Sequence, residues 1–342
     1  SSDIEARVIV LRRTSGIWIE QTRIAKPFSI GDFGIAVALD GNTAIVGATH
    51  AAFVYVRLAD SWVLQAQLNG DDSVADDWFG RQVAIDGDTA IVGAEQEEHD
   101  GISSAGAAYV FVRENGTWTQ QAKLTASNAV RYDRFGRAVA IDGDVAMVGI
   151  DIQLNKDARI GHPGAAYVYE RTGNTWTEKA ILTAPDAQDL DCFGSSIALD
   201  GDVALLGAWA GGTEGKPGTG AAYIFRHVDD AWLPEAKLLA SDGEPADWFG
   251  WTVALDGDTA VVGSDRADHE GLVSPGAAYV YRHLDGTWIQ TNKIVASDAV
   301  DGDAFGRGIA LEGDVALIGA DRVSHDELEH AGAVYSFSLH CA

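Results

Sequence analysis

Residues 249–297 read FGWTVALDGDTAVVGSDRADHEGLVSPGAAYVYRHLDGTWIQTNKIVAS. Four short segments stand out. FGWTVAL and TAVVG are apolar and Val-rich, AAYVYR is aromatic and β-branched, and TWIQTNKI alternates strictly, a combination that favours strands over helices. Asp256-Gly257 separates the first two segments and Leu284-Asp285-Gly286 the last two, and such turns favour tight hairpins with positive φ. The stretch is a four-stranded antiparallel meander.

The same unit recurs along the chain. Phe-Gly opens it at Phe33, Phe79, Phe135, Phe193, Phe249 and Phe305, with spacings of 46, 56, 58, 56 and 56 residues, the mark of stacked or circular repeats. Asp-Gly or Glu-Gly follows at residues 40, 86, 142, 200, 256 and 312. A lone four-stranded sheet has two faces to bury and needs neighbours on both sides. Small residues fill strand one (Gly34, Ala36, Ala38 and their equivalents), whereas Trp and Tyr occupy the outer strands, the gradient that a wedge-shaped blade requires. The expected fold is all-β, a β-propeller of four-stranded antiparallel blades forming one domain over 1–342. Six blades give the simplest closure, with Trp18 to Ile24 serving as the fourth strand of the last blade and residues 7 to 13 as an extra outer strand. A seventh, partial blade is the alternative.

Composition narrows the function. With 51 acidic against 24 basic residues the formal charge is −27, so nucleic acid is repelled. No apolar run reaches membrane length, which argues against membrane insertion. The chain begins at Ser1 without a signal-like segment, as a mature form or a part of a longer protein would. Cys192 and Cys341 lie about half a ring apart in the six-blade arrangement, so a bridge is not expected.

In a meander, the connections between strands two and three and between successive blades share one end, and here that end carries the long loops. Binding sites gather on such faces. Within these loops Asp77, Asp133, Asp191, Asp247 and Asp303 stand two residues before Phe, and Asp72, Asn128, Asp186, Asp242 and Asp298 seven before it. The pairs Asp72 and Asp77, Asp242 and Asp247, and Asp298 and Asp303 have the oxygen chemistry to ligate calcium; turn capping by the same residues is the competing role. An acid-His-acid element centres on His99 and His269, and more loosely on His325, where a metal or a general base competes with a purely structural loop motif.

Tryptophan falls into two populations. Trp18, Trp62, Trp118, Trp176, Trp232 and Trp288 repeat at the start of strand four and read as packing residues. Trp78, Trp209, Trp248 and Trp251 break the repeat, and such rings on a loop face can stack a sugar or anchor a protein. Arg81, Arg137 and Arg307 follow their Phe-Gly pairs, at the mouth of the channel in a propeller, and are candidates for an anionic ligand or for salt bridges.

The unit resembles the FG-GAP repeat family, on W-x-(Q/E)-x-(A/T)-K-(L/I), D-x-F-G-x-x-V-A-(L/I)-D-G-D and G-A-A-Y-V-(F/Y), most closely its bacterial subgroup. Those repeats build the ligand-binding propeller of integrin α-chains and occur in secreted or surface proteins, a fungal lectin among them. The resemblance implies a secreted, periplasmic or cell-surface recognition module that binds carbohydrate or an extracellular protein, and a monomer is expected. The family's D-x-D-x-D-G calcium loop is replaced by the tight turn Leu255-Asp256-Gly257-Asp258, so its calcium sites do not carry over. Two other classes stay open: an enzyme acting on polysaccharide, lyase or hydrolase, although no nucleophile motif is present, and a structural module of a larger surface protein.

Overall fold

The computed structural model describes residues 7–27, 31–150, 162–212, 216–324 and 330–339. The chain opens with β1 (Arg7–Thr14) and β2 (Ile17–Ala25), an antiparallel pair. The first blade is β3 (Ala36–Asp40), β4 (Thr43–Ala48), β5 (Ala51–Leu58) and β6 (Ser61–Leu68). The second, after a 3-10 turn at Ala75–Asp77, is β7 (Phe79–Asp86), β8 (Thr89–Ala94), β9 (Ala107–Glu114) and β10 (Thr117–Leu124). The third is β11 (Ala138–Asp142), β12 (Val145–Gly149), β13 (Ala166–Thr172) and β14 (Thr175–Leu182). The fourth is β15 (Phe193–Asp200), β16 (Val203–Ala208), β17 (Ala221–Val228) and β18 (Ala231–Leu238), and the fifth is β19 (Val253–Asp256), β20 (Thr259–Ser264), β21 (Ala277–Leu284) and β22 (Thr287–Ile294). The last is β23 (Phe305–Glu312), β24 (Val315–Ala320) and β25 (Ala333–Ser338).

The fold class is all-β, a β-propeller of six blades. Residues 7–13, expected as an extra outer strand, pair as β1 with β2, which holds the expected Trp18–Ile24 and follows the two-residue turn Ser15-Gly16; the last sheet holds β23, β24 and β25.

The chain groups into two compact units, residues 1–148 with 169–179 and residues 149–168 with 180–342. Each is built by the same devices. The Phe of Phe-Gly is the core plug: Phe79, Phe135, Phe193, Phe249 and Phe305 are fully buried. In the second unit Phe249 meets the Tyr279 ring edge-on at 5.4 Å, as Phe79 meets Tyr109 at the same distance in the first.

The glycines let neighbouring backbones touch. A Cβ on Gly93 would lie 2.1 Å from the Gly136 carbonyl oxygen, and one on Gly263 2.1 Å from that of Gly306. Gly220 and Gly276 bridge to the Phe of the next unit in parallel register. Three glycines per repeat thus mark blade-to-blade backbone contact. At the opposite end, the Asp-Gly turns are chained together: Gly87 N donates to Asp40 Oδ2 and Gly143 N to Asp86 Oδ2, each at 2.7 Å, while Gly257 N and Gly313 N donate to Asp200 and Asp256 at 2.6 Å.

Candidate functional site

The loop before each Phe-Gly is closed by its own aspartate. Val74 N donates to Asp77 Oδ2 at 2.7 Å, and at 2.8 Å Val130 N donates to Asp133, Gln188 N to Asp191, Glu244 N to Asp247 and Val300 N to Asp303. Burial pushes the carboxyls of Asp77, Asp191 and Asp247 up from their ordinary values, against the pull of these N–H donors.

The second column of aspartates does something else. Asp72 accepts from Tyr109 Oη at 2.8 Å and from Lys123 Nζ at 2.6 Å, Asp186 from Tyr223 and Lys237, and Asp242 from Tyr279 and Lys293. Asp298 accepts from Tyr335 at 2.8 Å. Burial acts to raise the Asp72, Asp186 and Asp242 carboxyls, but the Lys and Tyr bonds outweigh it and hold them below the ordinary carboxylate range. Every aspartate read from the sequence as a calcium ligand therefore has a protein partner here. Among the described residues no group of three or more His, Cys, Asp or Glu gathers as a metal ligand set.

His99 and His269 are tied into their loops. His99 Nδ1 lies 2.9 Å from Glu97 Oε2 and its backbone bridges Ile102, while His269 bridges Leu272 with Nε2 3.8 Å from Glu270. Residues 151–161, His325, Asp326 and Cys341 lie outside the described residues; Cys192 is buried, its Sγ donating to Leu190 O at 3.5 Å.

In the first unit, Trp78 and Arg81 come together, the guanidinium 4.4 Å from the ring centre. Arg81 and Arg137 both reach the buried Glu95 carboxylate, at 3.4 and 3.5 Å. Trp78 stands in the left-handed region, φ 57°, as do the residues at the same repeat position, Arg134, Cys192, Trp248 and Ala304. That conformation is followed by a second positive φ at the Gly of Phe-Gly, so the chain turns sharply into strand one after this residue.

In the second unit the structure assembles three tryptophans from separate segments. Trp209 follows β16, Trp248 precedes Phe249, and Trp251 follows Gly250. Trp248 and Trp251 stack at 5.3 Å with 19° between planes, and Trp209 lies 4.7 Å from Trp248 and 5.5 Å from Trp251, tilted to both. Trp248 is fixed partly by its own backbone, whose N donates to Gly218 O at 3.2 Å. Arginines lie on this stack: the Arg266 guanidinium is 3.3 Å from the centre of the Trp248 ring and that of Arg307 is 5.4 Å from Trp251. Arg307 also reaches Asp265 Oδ2 at 3.4 Å and Asp321 Oδ2 at 3.3 Å.

Asp265 is 2% exposed, and burial pushes its carboxyl up against the charges of Arg307, Arg266 and Arg322. Two buried polar atoms here have no hydrogen-bond partner, Asp265 Oδ1 and Trp209 Nε1.

Asp265, Arg266 and Arg322 escape a search for residues that break the repeat. A signal for Asp265 existed in two columns offset by one blade: the residue closing strand two (Glu95, Trp209, Asp265) meets the residue after the next Phe-Gly (Arg137, Trp251, Arg307). Reading those columns together shows that Trp209 and Trp251 replace an acid–arginine pair.

Blade repeats carrying aromatic and charged side chains on their loops define a propeller-type repeat scaffold. The FG-GAP repeat family matches residues 62–111, 118–169, 176–225, 232–281 and 288–337, and the chain belongs to it. Each match begins at the strand-four Trp and ends in strand three of the following blade. Propellers of this family generally serve as protein-interaction or ligand-binding modules. No curated protein matches the chain significantly. Among solved structures, it is similar in fold to a chain of "Crystal Structure of Mitotic Checkpoint Complex", with 13% identity, a TM-score of 0.58, and coverage of 92% of this chain and 78% of that one.

Proposed function

We propose that the protein is a non-enzymatic recognition module, secreted, periplasmic or on the cell surface, whose carbohydrate or protein ligand binds at the tryptophan–arginine cluster of the second unit. The observation that carries this reading is the convergence of Trp209, Trp248 and Trp251 with Arg266 and Arg307, beside buried polar atoms that lack partners. A merely structural joint is served by the acid–arginine pair used elsewhere in the chain. Replacing it with Trp209 and Trp251 leaves the Trp209 indole N–H buried without a partner, and a ligand that satisfies it offsets that cost.

The test is a screen against a glycan array and against candidate extracellular proteins, using the wild type and the Trp209→Ala and Trp248→Ala variants. Binding that both variants lose supports the assignment; binding that both retain overturns it. The Arg81, Arg137 and Glu95 group of the first unit, with Trp78 and His99 nearby in sequence, provides the comparison variants, because its arginines already hold a carboxylate from within the chain.

A further inference from the structure

We infer that the cluster recognises a uronate residue of an acidic polysaccharide, its carboxylate on Arg266 and its hydroxyls on Trp209 Nε1 and Asp265. This rests on the recognition reading above and names its ligand chemistry.

The arginines supply the first part. In a chain with two acids for every base, most guanidiniums near carboxylates find one. Arg81 and Arg137 share Glu95, and Arg307 bridges Asp265 and Asp321. Arg266 and Arg322 are both exposed, and neither makes an ion pair or side-chain hydrogen bond among the described residues. The charges of both nonetheless favour an ionised Asp265, against the burial that pushes its carboxyl up. Arg266 is held over the Trp248 ring, and a guanidinium has N–H donors in its own plane that can take a carboxylate through two parallel bonds.

The orphaned atoms supply the second part. Asp265 Oδ1 needs a donor and Trp209 Nε1 needs an acceptor. Leaving such groups buried and unsatisfied is destabilising. Hydroxyls answer both needs, one donating to the carboxylate and another accepting from the indole. An acidic peptide side chain brings a carboxylate without a hydroxyl donor, and a neutral sugar brings hydroxyls without a carboxylate. A pyranose carrying a carboxylate brings both. An incoming carboxylate that draws the exposed Arg266 outward leaves the two buried atoms to the ligand's hydroxyls.

The formal charge of −27 opposes a long polyanion, so short probes in about 0.15 M NaCl, where charges beyond about 8 Å are screened, isolate the site. Titration calorimetry with trigalacturonate, its methyl ester and a tri-aspartate peptide is the experiment. The expected result is that trigalacturonate binds and that esterification weakens it about tenfold or more, the loss of a charged hydrogen-bonded contact. Arg266→Gln weakens the acid by a similar factor and leaves the ester unchanged. Trp209→Phe, which keeps a ring but removes the donor, weakens both, and Arg81→Gln weakens neither. Thermal midpoints close to wild type establish that each variant is folded.

Equal affinity for acid and ester, tri-aspartate binding as tight as trigalacturonate, no trigalacturonate binding at millimolar concentration, or an Arg266→Gln variant with unchanged affinity would each overturn the inference. If trigalacturonate fails but another glycan or protein binds and Trp248→Ala abolishes it, the uronate assignment falls and the recognition reading stands. If trigalacturonate binds equally to Arg266→Gln, Trp209→Phe and Trp248→Ala, both fall together.

Discussion

At the scale of the residue, one position in the repeat can do several jobs because its backbone is set and its side chain is not. Gly250 illustrates the fixed part. Its φ is +92°, and an added Cβ would lie 2.3 Å from the Ala221 carbonyl oxygen. Gly250→Ala combines backbone strain with a clash against backbone, and is expected to cost about 3 kcal/mol or more, read as a fall in the urea midpoint. The paired aspartates differ in sign. The folded values of Asp72, Asp186 and Asp242 are depressed, so their stabilisation is complete above the unfolded value near 3.8 and is lost as pH falls through the folded values. Asp265 is raised, so its favourable protonated state is lost as pH rises through the folded value. Asp242→Asn should therefore lower the thermal midpoint at pH 7 and approach wild type only as pH falls well below 3.8, through the depressed folded value. Asp265→Asn should leave the midpoint at pH 7 equal or higher, with the difference closing in acid. A lower midpoint for Asp265→Asn at pH 7 would mean that the Arg307 contact outweighs the burial cost.

At the scale of the element, each blade is joined to the next by a small set of repeated backbone and turn contacts. The strand-one–strand-two hairpins have two-residue loops with Gly first, at φ 53–56° in Gly41, Gly87, Gly143, Gly201, Gly257 and Gly313. The preceding aspartate is the last strand residue and bonds to the next hairpin's glycine rather than to its own turn. Its value is therefore between blades. Asp256→Ala removes the bond to Gly313 N and should cost about 0.5–1.5 kcal/mol. The loops at the other end are laced in the same direction: Phe249 N donates to Thr219 O, and Phe305 N to Pro275 O. Trp248 stands beside such a bond, which is how a loop residue comes to a defined place.

At the scale of the whole molecule, charge is the property that the repeats do not dictate. A formal charge of −27 makes self-repulsion a cost to the compact state. Screening relieves it, so the thermal midpoint should rise as NaCl goes from about 10 mM to about 150 mM, over which the Debye length falls from about 30 to 8 Å. A midpoint indifferent to salt over that range would show that the acids are balanced locally, by contacts such as Lys123 with Asp72 and Glu97.

The sequence by itself determined the strands, the hairpins, the blade and the number of repeats, because these follow from period-two alternation, turn dipeptides and equal spacing. It also separated Trp209, Trp248 and Trp251 from the packing tryptophans, since an irregular position in a regular array is visible without coordinates. Tertiary structure decided the rest. Which acid meets which arginine depends on contact between residues 42 apart, as in Asp265 and Arg307, and such a pairing leaves no local pattern. The three tryptophans likewise read as separate loop residues until the fold brought their rings within 5.5 Å of one another, since a ring's neighbours are set by packing and not by its place along the chain.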